Sequence, residues 1–373
     1  MDLQYKMTNQ LQDYSYQYPE DLVALFPTSE RSQSRLMMLG RKAQSIQHKK
    51  FEDLVELLSP GDLLVLNDSK VFPCRLVTKR KSGGRQEILL LHGTKNLNSD
   101  EAVSLGGVSG RSLKQNPHFE HAEVWHVILN ASHKVKAGDV FDFDGLRVTV
   151  LDEEPGERRV LLKYNGDLFE RLSKIADMPL PPYIKRPNEK IDQERYQTVY
   201  AKHVGSNAAP TAGLHFTPEL LMRLKERGVE ITNVTLHVGT GTFLPVRVND
   251  ISQHVMHKEM FEIGQDACDT INRVKKAGKR VIAVGTTTTR VLESIAREGI
   301  PLSPQKGTTD IFIHPPYQFK IVDAMVTNFH QPESTLLMLV SAFAGREFIL
   351  RSYQEAIQNK YRLFSYGDAM LIM

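Results

Sequence analysis

The chain has 373 residues, of which 41 % are hydrophobic and 24 % are charged, and its formal net charge is +3. This length and composition predict a soluble protein of two domains, and a charge so close to balance neither demands nor excludes nucleic acid. The sequence contains two cysteines, Cys74 and Cys268, and no apolar stretch long enough for a bilayer, which argues against disulfide-framework and membrane-spanning classes. We expect a cytoplasmic protein without a membrane partner, since no apolar leader segment is present.

Residues 1–70 combine a polar segment with one apolar strand. Arg31 and Arg35 stand four residues apart, which suits either phosphate contacts or a solvated face. The run LLVLND predicts a strand that ends at Asn67 and Asp68. Open α/β sheets place their ligand-binding groups at such polar strand ends.

Between residues 71 and 164, short β-rich runs are separated by clusters of Gly, Asn, Asp and Ser. The runs include CRLVTKR, QEILLLHG, AEVWHVIL and RRVLLKY, and their spacing is typical of an all-β barrel or sandwich. We therefore predict an inserted, all-β, barrel-like domain at 71–164, and we expect it to face RNA. A polar, glycine-rich stretch at 96–122 predicts a long loop.

A proline-rich segment, MPLPPYIKRP, follows this region. Its prolines enforce an extended course, so a stiff connector is one interpretation. The other is a nucleic-acid contact, because Tyr183 can stack on a base while Lys185 and Arg186 bind phosphate.

From residue 203 onward, strands alternate with helices. VEITNVTLHVG, RVIAVG and FKIVDAMVTNF predict strands, and TPELLMRLKERG, QDACDTINRVKKAGK, TTTTRVLESIAREG and PESTLLMLVSAFAGRE predict helices. This alternation predicts an α/β main domain with a mostly parallel sheet, formed by 1–70 and 165–373 together. The polar turns after the strands are expected along one edge of the sheet.

The stretch HVGSNAAPTAGLHFT, residues 203–217, is the strongest candidate for a binding site. Small residues let a ligand approach the backbone, and Thr211 and His215 supply polar groups. Thr217 and Pro218 then begin a helix whose N-terminus suits an anion. The alternative is an irregular loop that is merely rich in small residues.

The other polar turns give weaker signals. GTTTTR, ending at Arg290, has groups for phosphate or carboxylate, but it is not a Walker loop, and GTGTF is not a dinucleotide fingerprint. Three histidines, His215, His237 and His330, lie in or beside such turns, where proton-transfer groups often occur. His254 and His257 are the closest approach to a helical metal pair, and we predict no metal site.

Several long motifs resemble one enzyme family over residues 18–372. HVGSNAAPTAGLHFTPELL, VTLHVGTGTFLPV, VIAVGTTTTRVLES, VDAMVTNFHQPESTLLMLVSAFAGRE and YRLFSYGDAMLI are similar to the S-adenosylmethionine:tRNA ribosyltransferase-isomerases of queuosine biosynthesis. The resemblance implies transfer and isomerisation of the ribosyl group of S-adenosylmethionine. The acceptor is 7-aminomethyl-7-deazaguanine at the tRNA wobble position, and the products are epoxyqueuosine-tRNA, adenine and methionine.

The resemblance also implies roles for particular residues. The proposed catalytic residues are His215 or His237 as the base, with Asp310 positioning a ribose hydroxyl or the amine. Binding of S-adenosylmethionine is assigned to Pro210, Thr211, Gly213, Phe216, Gly239, Gly241, Thr286, Thr287, Arg290, Asn328 and His330. Contacts to tRNA are assigned to Arg31, Arg35, Tyr183, Lys185, Arg186 and Phe329.

The implied partners are S-adenosylmethionine, consumed as ribosyl donor, and the tRNA anticodon stem-loop. No recycled cofactor, metal or membrane is implied, and we expect a monomer or weak homo-oligomer. Two alternatives stay open: an S-adenosylmethionine-dependent RNA methyltransferase and a non-catalytic RNA-binding module. The first lacks its glycine fingerprint, and the second leaves the histidine and hydroxyl turns unexplained.

Overall fold

The computed structural model describes residues 9–79, 84–96, 119–131, 135–152, 156–239, 241 and 246–373. The chain divides into two compact units, of which the first comprises Met1–Lys70, Pro181–Pro187 and Glu194–Met373, and the second Val71–Leu180 and Asn188–Gln193. This division does not test which parts of the chain fold independently, so the predicted domain limits stay a prediction. The predicted loop at 96–122 falls, from 97 to 118, outside the described residues.

The strands in chain order are β1 (Arg35–Gly40), β2 (Ser45–Lys50), β3 (Leu63–Asn67), β4 (Ser69–Val71), β5 (Arg75–Lys79), β6 (Arg85–Asn96), β7 (His121–Ala131), β8 (Val140–Phe143), β9 (Leu146–Val150), β10 (Glu157–Tyr164), β11 (His203–Ser206), β12 (Glu230–Leu236), β13 (Glu259–Ile263), β14 (Val281–Val284), β15 (Gln305–Thr309), β16 (Ala324–Asn328) and β17 (Ala369–Ile372). The α-helices are α1 (Leu54–Leu57), α2 (Leu168–Ile175), α3 (Lys190–Arg195), α4 (Pro218–Glu226), α5 (Gln265–Lys276), α6 (Thr286–Ile295), α7 (Thr335–Ala344) and α8 (Arg346–Gln358). No helix in the described ranges has the length and apolar character needed to cross a bilayer.

The first unit is built on a nine-stranded sheet in the order β15-β13-β12-β3-β14-β16-β17-β1-β2. Its centre is parallel, because β12 pairs with β3, β3 with β14 and β14 with β16 in that sense. Antiparallel pairs join β15 to β13, β13 to β12, β16 to β17 and β1 to β2. The sheet is therefore mixed, and the predicted mostly parallel sheet is not confirmed.

The antiparallel direction of β17 has a simple cause. One helix between two strands brings the chain back to the starting edge and gives a parallel pair, as α6 and the segment after it do between β14 and β16. Two successive helices, α7 and α8, lie between β16 and β17. Each helix reverses the chain once, so β17 returns antiparallel to β16.

The central strands are buried on both faces. In β3, Leu63 and Val65 belong to one apolar cluster, which contains α5, α6, α7 and α8 side chains. Leu64 and Leu66 belong to a second cluster with α1 and α4. Alternate side chains of a strand point to opposite faces, so helices cover both sides of the sheet.

The second unit contains a six-stranded antiparallel, barrel-like sheet in the order β5-β6-β7-β10-β9-β8. Its core includes Trp125, Val127, Val148 and Leu162, and the α2 residue Leu172 packs against them. The predicted barrel-like β structure of residues 71–164 is therefore confirmed as a six-stranded antiparallel sheet.

A buried carboxylate fixes the segment that enters β16. Glu293 in α6 has no exposed surface. Its Oε1 accepts hydrogen bonds from the Ile321 and Val322 amides at 3.0 Å, and its Oε2 accepts from the Lys320 amide at 2.9 Å. Tyr317 also donates its hydroxyl to Oε2 at 3.2 Å. One side chain thus satisfies backbone donors that would otherwise be buried without a partner.

We expect Glu293→Gln to lower the free energy of unfolding by about 2–4 kcal/mol, because an amide has a donor where backbone N–H groups need an acceptor. Urea denaturation followed by circular dichroism measures the change. Glu298→Gln, at an exposed position after the same helix, is the control and should differ from wild type by less than about 0.5 kcal/mol. Equal stabilities of the two variants would contradict this role.

Candidate active site

A pocket opens in the first unit where β14 and β16 end side by side. It encloses about 620 Å³, open mouth included. The lining comes from the proline-rich segment, the 203–217 stretch, the start of α6, the end of β16 and the chain before β17. The lining residues are Tyr183, Ala208, Ala209, Pro210, Thr211, Ala212, Val238, Gly285, Thr286, Thr287, Thr327, Asn328, Phe329, His330, Gln331, Ser334, Leu336, Phe364 and Ser365.

The N-terminus of α6 forms one wall of this pocket. Gly285, which precedes the helix, has φ +92°, a conformation that side chains other than glycine disfavour. Thr288 and Thr289 turn their hydroxyls back to the carbonyls of Val284 and Gly285, at 2.8 and 3.2 Å. Thr286 and Thr287 instead line the pocket.

Thr287 contributes an uncommitted hydroxyl. The side chain is buried, and its Oγ1 has no hydrogen-bond partner within the described ranges. The first amides of a helix also lack intrahelical acceptors and carry a partial positive charge. This wall is therefore suited to a carboxylate or another anion.

The opposite wall contains a buried hydrogen-bond network around Asn328. Thr211 donates its hydroxyl to Asn328 Oδ1 at 2.9 Å. The Asn328 amide nitrogen lies 3.2 Å from the Phe364 carbonyl and 3.1 Å from His215 Nε2. Because carbonyl oxygens only accept, this nitrogen is the donor, and His215 Nε2 must carry a lone pair.

His215 is held in one neutral form. Its Nδ1 lies 2.7 Å from the Ser34 hydroxyl, and its ring stacks on Phe51 with centroids 4.9 Å apart. Burial, followed by the charges of Arg31 and Arg362, lowers the pKa of His215 to about 3. Both ring nitrogens are thus engaged, and His215 itself does not line the pocket.

His330 lines the pocket and is also neutral. Its Nε2 lies 2.9 Å from the Thr327 hydroxyl, and its backbone amide donates to the Tyr353 hydroxyl at 2.9 Å. Burial lowers the pKa of His330 to about 3.

Aromatic rings contribute another part of the lining. The Tyr183 hydroxyl lies 2.6 Å from Ser365 Oγ, and its ring is tilted against Phe364 at 5.0 Å. Phe364 has φ +69°, a strained conformation for a phenylalanine. The contacts of its carbonyl and ring hold it there, and such strain is often found at functional sites.

Arg290 was predicted to bind substrate, and the structure places it in a buried ion pair with Glu259. The other oxygen of Glu259, Oε1, accepts the Gly239 amide at 2.9 Å. Arg290 Nη2 is buried and has no hydrogen-bond partner among the residues described. Arg290 and Glu259 thus position the glycine turn after β12, outside the pocket lining.

His237 and Asp310 also lie away from the pocket lining. The His237 ring packs on Gly205, where an added Cβ would come within 2.8 Å of Nδ1. Burial, followed by His203, lowers the pKa of His237, and its Nδ1 has no partner in the described chain. Asp310 is exposed after β15.

Three predicted site residues have packing roles. A Cβ on Gly213 would lie 2.0 Å from the Tyr200 hydroxyl, and one on Gly241 would lie 2.6 Å from the His257 ring. Phe216 is fully buried and packs edge-on against Phe51. Thr240, a residue of the same glycine turn, lies outside the described residues.

Three arginines that were predicted to contact tRNA bind other groups of the protein. Arg31 donates to the carbonyls of Leu214 and Glu194, at 3.1 and 3.0 Å. Arg35 pairs with Asp368, and Arg186 donates to the Leu25 carbonyl at 2.9 Å. These contacts join the arginines to their own unit.

Two further predicted contacts differ in exposure. Lys185 keeps an exposed side chain that pairs loosely with Glu20 at 3.4 Å. Phe329 is 1 % exposed and packs edge-on against Tyr353 and Tyr361. Stacking a base on Phe329 would require the ring to leave this core.

Of the predicted residues, the pocket brings together Tyr183, Pro210, Thr211, Thr286, Thr287, Asn328, Phe329 and His330. Sequence reasoning did not assign Gly285, Thr327, Gln331, Ser334, Phe364 or Ser365. Phe364 and Ser365 lie within the motif YRLFSYGDAMLI, and this position could have indicated them as site residues.

The comparisons with known proteins agree over nearly the whole chain. The family model described as "Queuosine biosynthesis protein" matches residues 11–372. The S-adenosylmethionine:tRNA ribosyltransferase-isomerase of Natranaerobius thermophilus is 46 % identical over 97 % of this chain and 99 % of its own length. That of Clostridioides difficile is 45 % identical over 96 % and 98 %. The crystal structure of S-adenosylmethionine tRNA ribosyltransferase from Thermotoga maritima is 35 % identical, covers 97 % of this chain and 100 % of its own, and has a TM-score of 0.52.

The buried histidines predict a loss of stability in acid. In the unfolded chain a histidine is protonated below a pKa of about 6.5, whereas folded His330 stays neutral down to about pH 3. The free energy of unfolding should therefore be largest above pH 6.5. It should fall by up to ~1.4 kcal/mol per pH unit for each such histidine as the pH drops below that value.

We expect His330→Gln to have a smaller difference in unfolding free energy between pH 7.5 and pH 5 than wild type, measured by urea denaturation. The exposed His257→Gln should retain the wild-type difference. Identical pH dependence in His330→Gln and wild type would show that the buried imidazole is not the cause.

Proposed function

Because the chain belongs to the queuosine biosynthesis protein family, we propose that it is an S-adenosylmethionine:tRNA ribosyltransferase-isomerase. The enzyme transfers and isomerises the ribosyl group of S-adenosylmethionine onto 7-aminomethyl-7-deazaguanine at the tRNA wobble position. The products are epoxyqueuosine-tRNA, adenine and methionine.

The observation that supports this reaction best is the pocket wall at α6. Thr287 Oγ1 is buried and has no hydrogen-bond partner among the residues that the structure describes, and it lies beside the first amides of α6, which lack intrahelical acceptors. The methionine carboxylate of S-adenosylmethionine supplies the anion that this wall favours.

The remaining lining suits the other parts of the ligand. Tyr183 and Phe364 offer aromatic surface for adenine, and aromatic faces also favour a neighbouring sulfonium cation. Thr211 and Asn328 offer polar groups for the ribose hydroxyls. Pro210, Thr286 and His330 complete our proposed binding set in the pocket. Gly239 and Gly241 support it from the glycine turn after β12. Arg290 contributes from α6, by holding that turn through Glu259.

The chemistry requires a base that removes a proton from the ribose 5′ carbon, which the sulfonium acidifies. His215 and His237 are our proposed candidates, and their surroundings differ. The lone pair of His215 Nε2 accepts from Asn328, so this residue also orients the amide that faces the ligand. His237 Nδ1 is uncommitted in the described chain, which favours His237 once substrate brings its ribose near.

The tRNA contacts are proposed more broadly. Lys185 is the exposed cation of the proline-rich segment, and we place phosphate there. Arg31, Arg35 and Arg186 are our further proposed tRNA contacts. We further propose that the anticodon stem-loop is the recognised part, that Asp310 contacts the ribose or amine, and that the transfer uses no recycled cofactor or metal. The enzyme acts as a monomer or weak homo-oligomer in the cytoplasm.

We expect the purified protein, incubated with S-adenosylmethionine and an anticodon stem-loop carrying 7-aminomethyl-7-deazaguanine, to release adenine and methionine while the RNA gains a ribosyl-derived mass. Mass spectrometry of both fractions measures this. A methyl-sized gain with S-adenosylhomocysteine would identify a methyltransferase instead, and binding without turnover would favour an RNA-binding module. Near-normal single-turnover rates in both His215→Ala and His237→Ala would exclude both bases.

We expect Thr287→Val to raise the KM for S-adenosylmethionine about tenfold, because one hydrogen bond to a charged group contributes about 1.5 kcal/mol. Steady-state adenine release measures it. Thr288→Val, which removes the adjacent hydroxyl that donates to the Val284 carbonyl, should change KM less than twofold. An unchanged KM in Thr287→Val would show that the carboxylate of S-adenosylmethionine does not bind at this wall.

A further inference from the structure

Two histidines and a glutamate lie close together on the sheet of the second unit, outside the proposed active site. His92 lies on β6, His126 on β7 and Glu157 on β10, and one ligand atom from each lies within 4.8 Å of the others. The imidazoles of His92 and His126 are stacked, with centroids 4.6 Å apart and planes inclined by 8°. His126 Nδ1 is 2.6 Å from Glu157 Oε1.

The backbone brings these side chains to one face. His92 is paired directly with His126, and Glu157 is paired with Ile128, two residues along β7. Positions two apart on a strand share a face, so Glu157 is a diagonal neighbour of His126. Three adjacent strands thus contribute one ligand each.

A β-bulge creates the pairing of the two histidines. Leu90 pairs with Val127, and the register then shifts so that His92, and not Leu91, lies opposite His126. Without the bulge, a leucine would occupy the site. Bulges often re-aim a side chain next to a functional site.

We propose that His92, His126 and Glu157 bind a divalent transition-metal ion, with Zn²⁺ as its best match. Two imidazoles and one carboxylate are a common zinc set that leaves one position for water. Tetrahedral bonds of about 2.1 Å place ligand atoms about 3.4 Å apart. The histidine–carboxylate contact has to open by less than 1 Å, and the other pairs have to close by at most about 1.4 Å. The two stacked imidazoles also have to rotate so that both in-plane lone pairs point at the ion.

The local charges suit a cation. Arg159 is paired opposite His126, but its guanidinium is engaged by Asp152 at 2.8 and 2.9 Å. Glu157 supplies the compensating negative charge.

The test is a Zn²⁺ titration of tag-free, full-length, chelator-treated protein in competition with a chromophoric chelator. We expect one tightly bound Zn²⁺ per chain, with micromolar affinity. His92→Ala/His126→Ala should weaken it at least tenfold, and Glu157→Gln by several-fold. His121→Ala is the matched control, because His121 is exposed on the same strand at a position of opposite facing.

A second measurement keeps the proposal testable if the double variant is poorly folded. Co²⁺ bound by wild type should give the intense visible absorption of a four-coordinate site, and the single variant His92→Gln should reduce it. Wild-type affinity in a folded double variant, equal loss in His121→Ala, or no Zn²⁺ binding by wild type below about 100 μM would overturn the proposal.

Discussion

The candidate active site depends on a single buried amide, that of Asn328. At the end of β16 it joins Thr211 from the 203–217 stretch, His215 and the Phe364 carbonyl before β17. His215 and Phe364 are buried and Thr211 is partly buried, so each of these groups needs a partner and the amide determines where three distant segments meet. The pocket wall, the tautomer of His215 and the strained backbone at Phe364 all follow from this constraint.

Local sequence signals predicted the parts of the fold that local chemistry decides. The polar ends of β14 and β16, the caps of α4 and the β-rich second unit follow from periodicity, capping residues and turn residues. The direction of β17 did not follow, because it depends on α8, and the last helix predicted from the sequence ends at Glu347, before most of α8. Parallel or antiparallel pairing is decided by how often the chain reverses, which no short window reveals.

The site could be predicted only in part, for a related reason. Small and hydroxyl-bearing turns indicated Thr211, Thr287 and Asn328, and the structure places all three in the pocket lining. Arg290 looks the same in sequence as a substrate-binding arginine, but Glu259, thirty-one residues away, pairs with it in the core. The histidines and glutamate of the second unit carry no motif spacing, since a bulge and two strand pairings bring them together.

The position of β17 affects how the sheet is completed during folding. This strand, residues 369–372, lies inside the sheet between β16 and β1, and not at its edge. Until β17 pairs, β16 and β1 each present an unpaired backbone edge of the kind that promotes aggregation. Docking of this one strand therefore closes both edges and brings the Phe364 segment to the pocket wall in the same step.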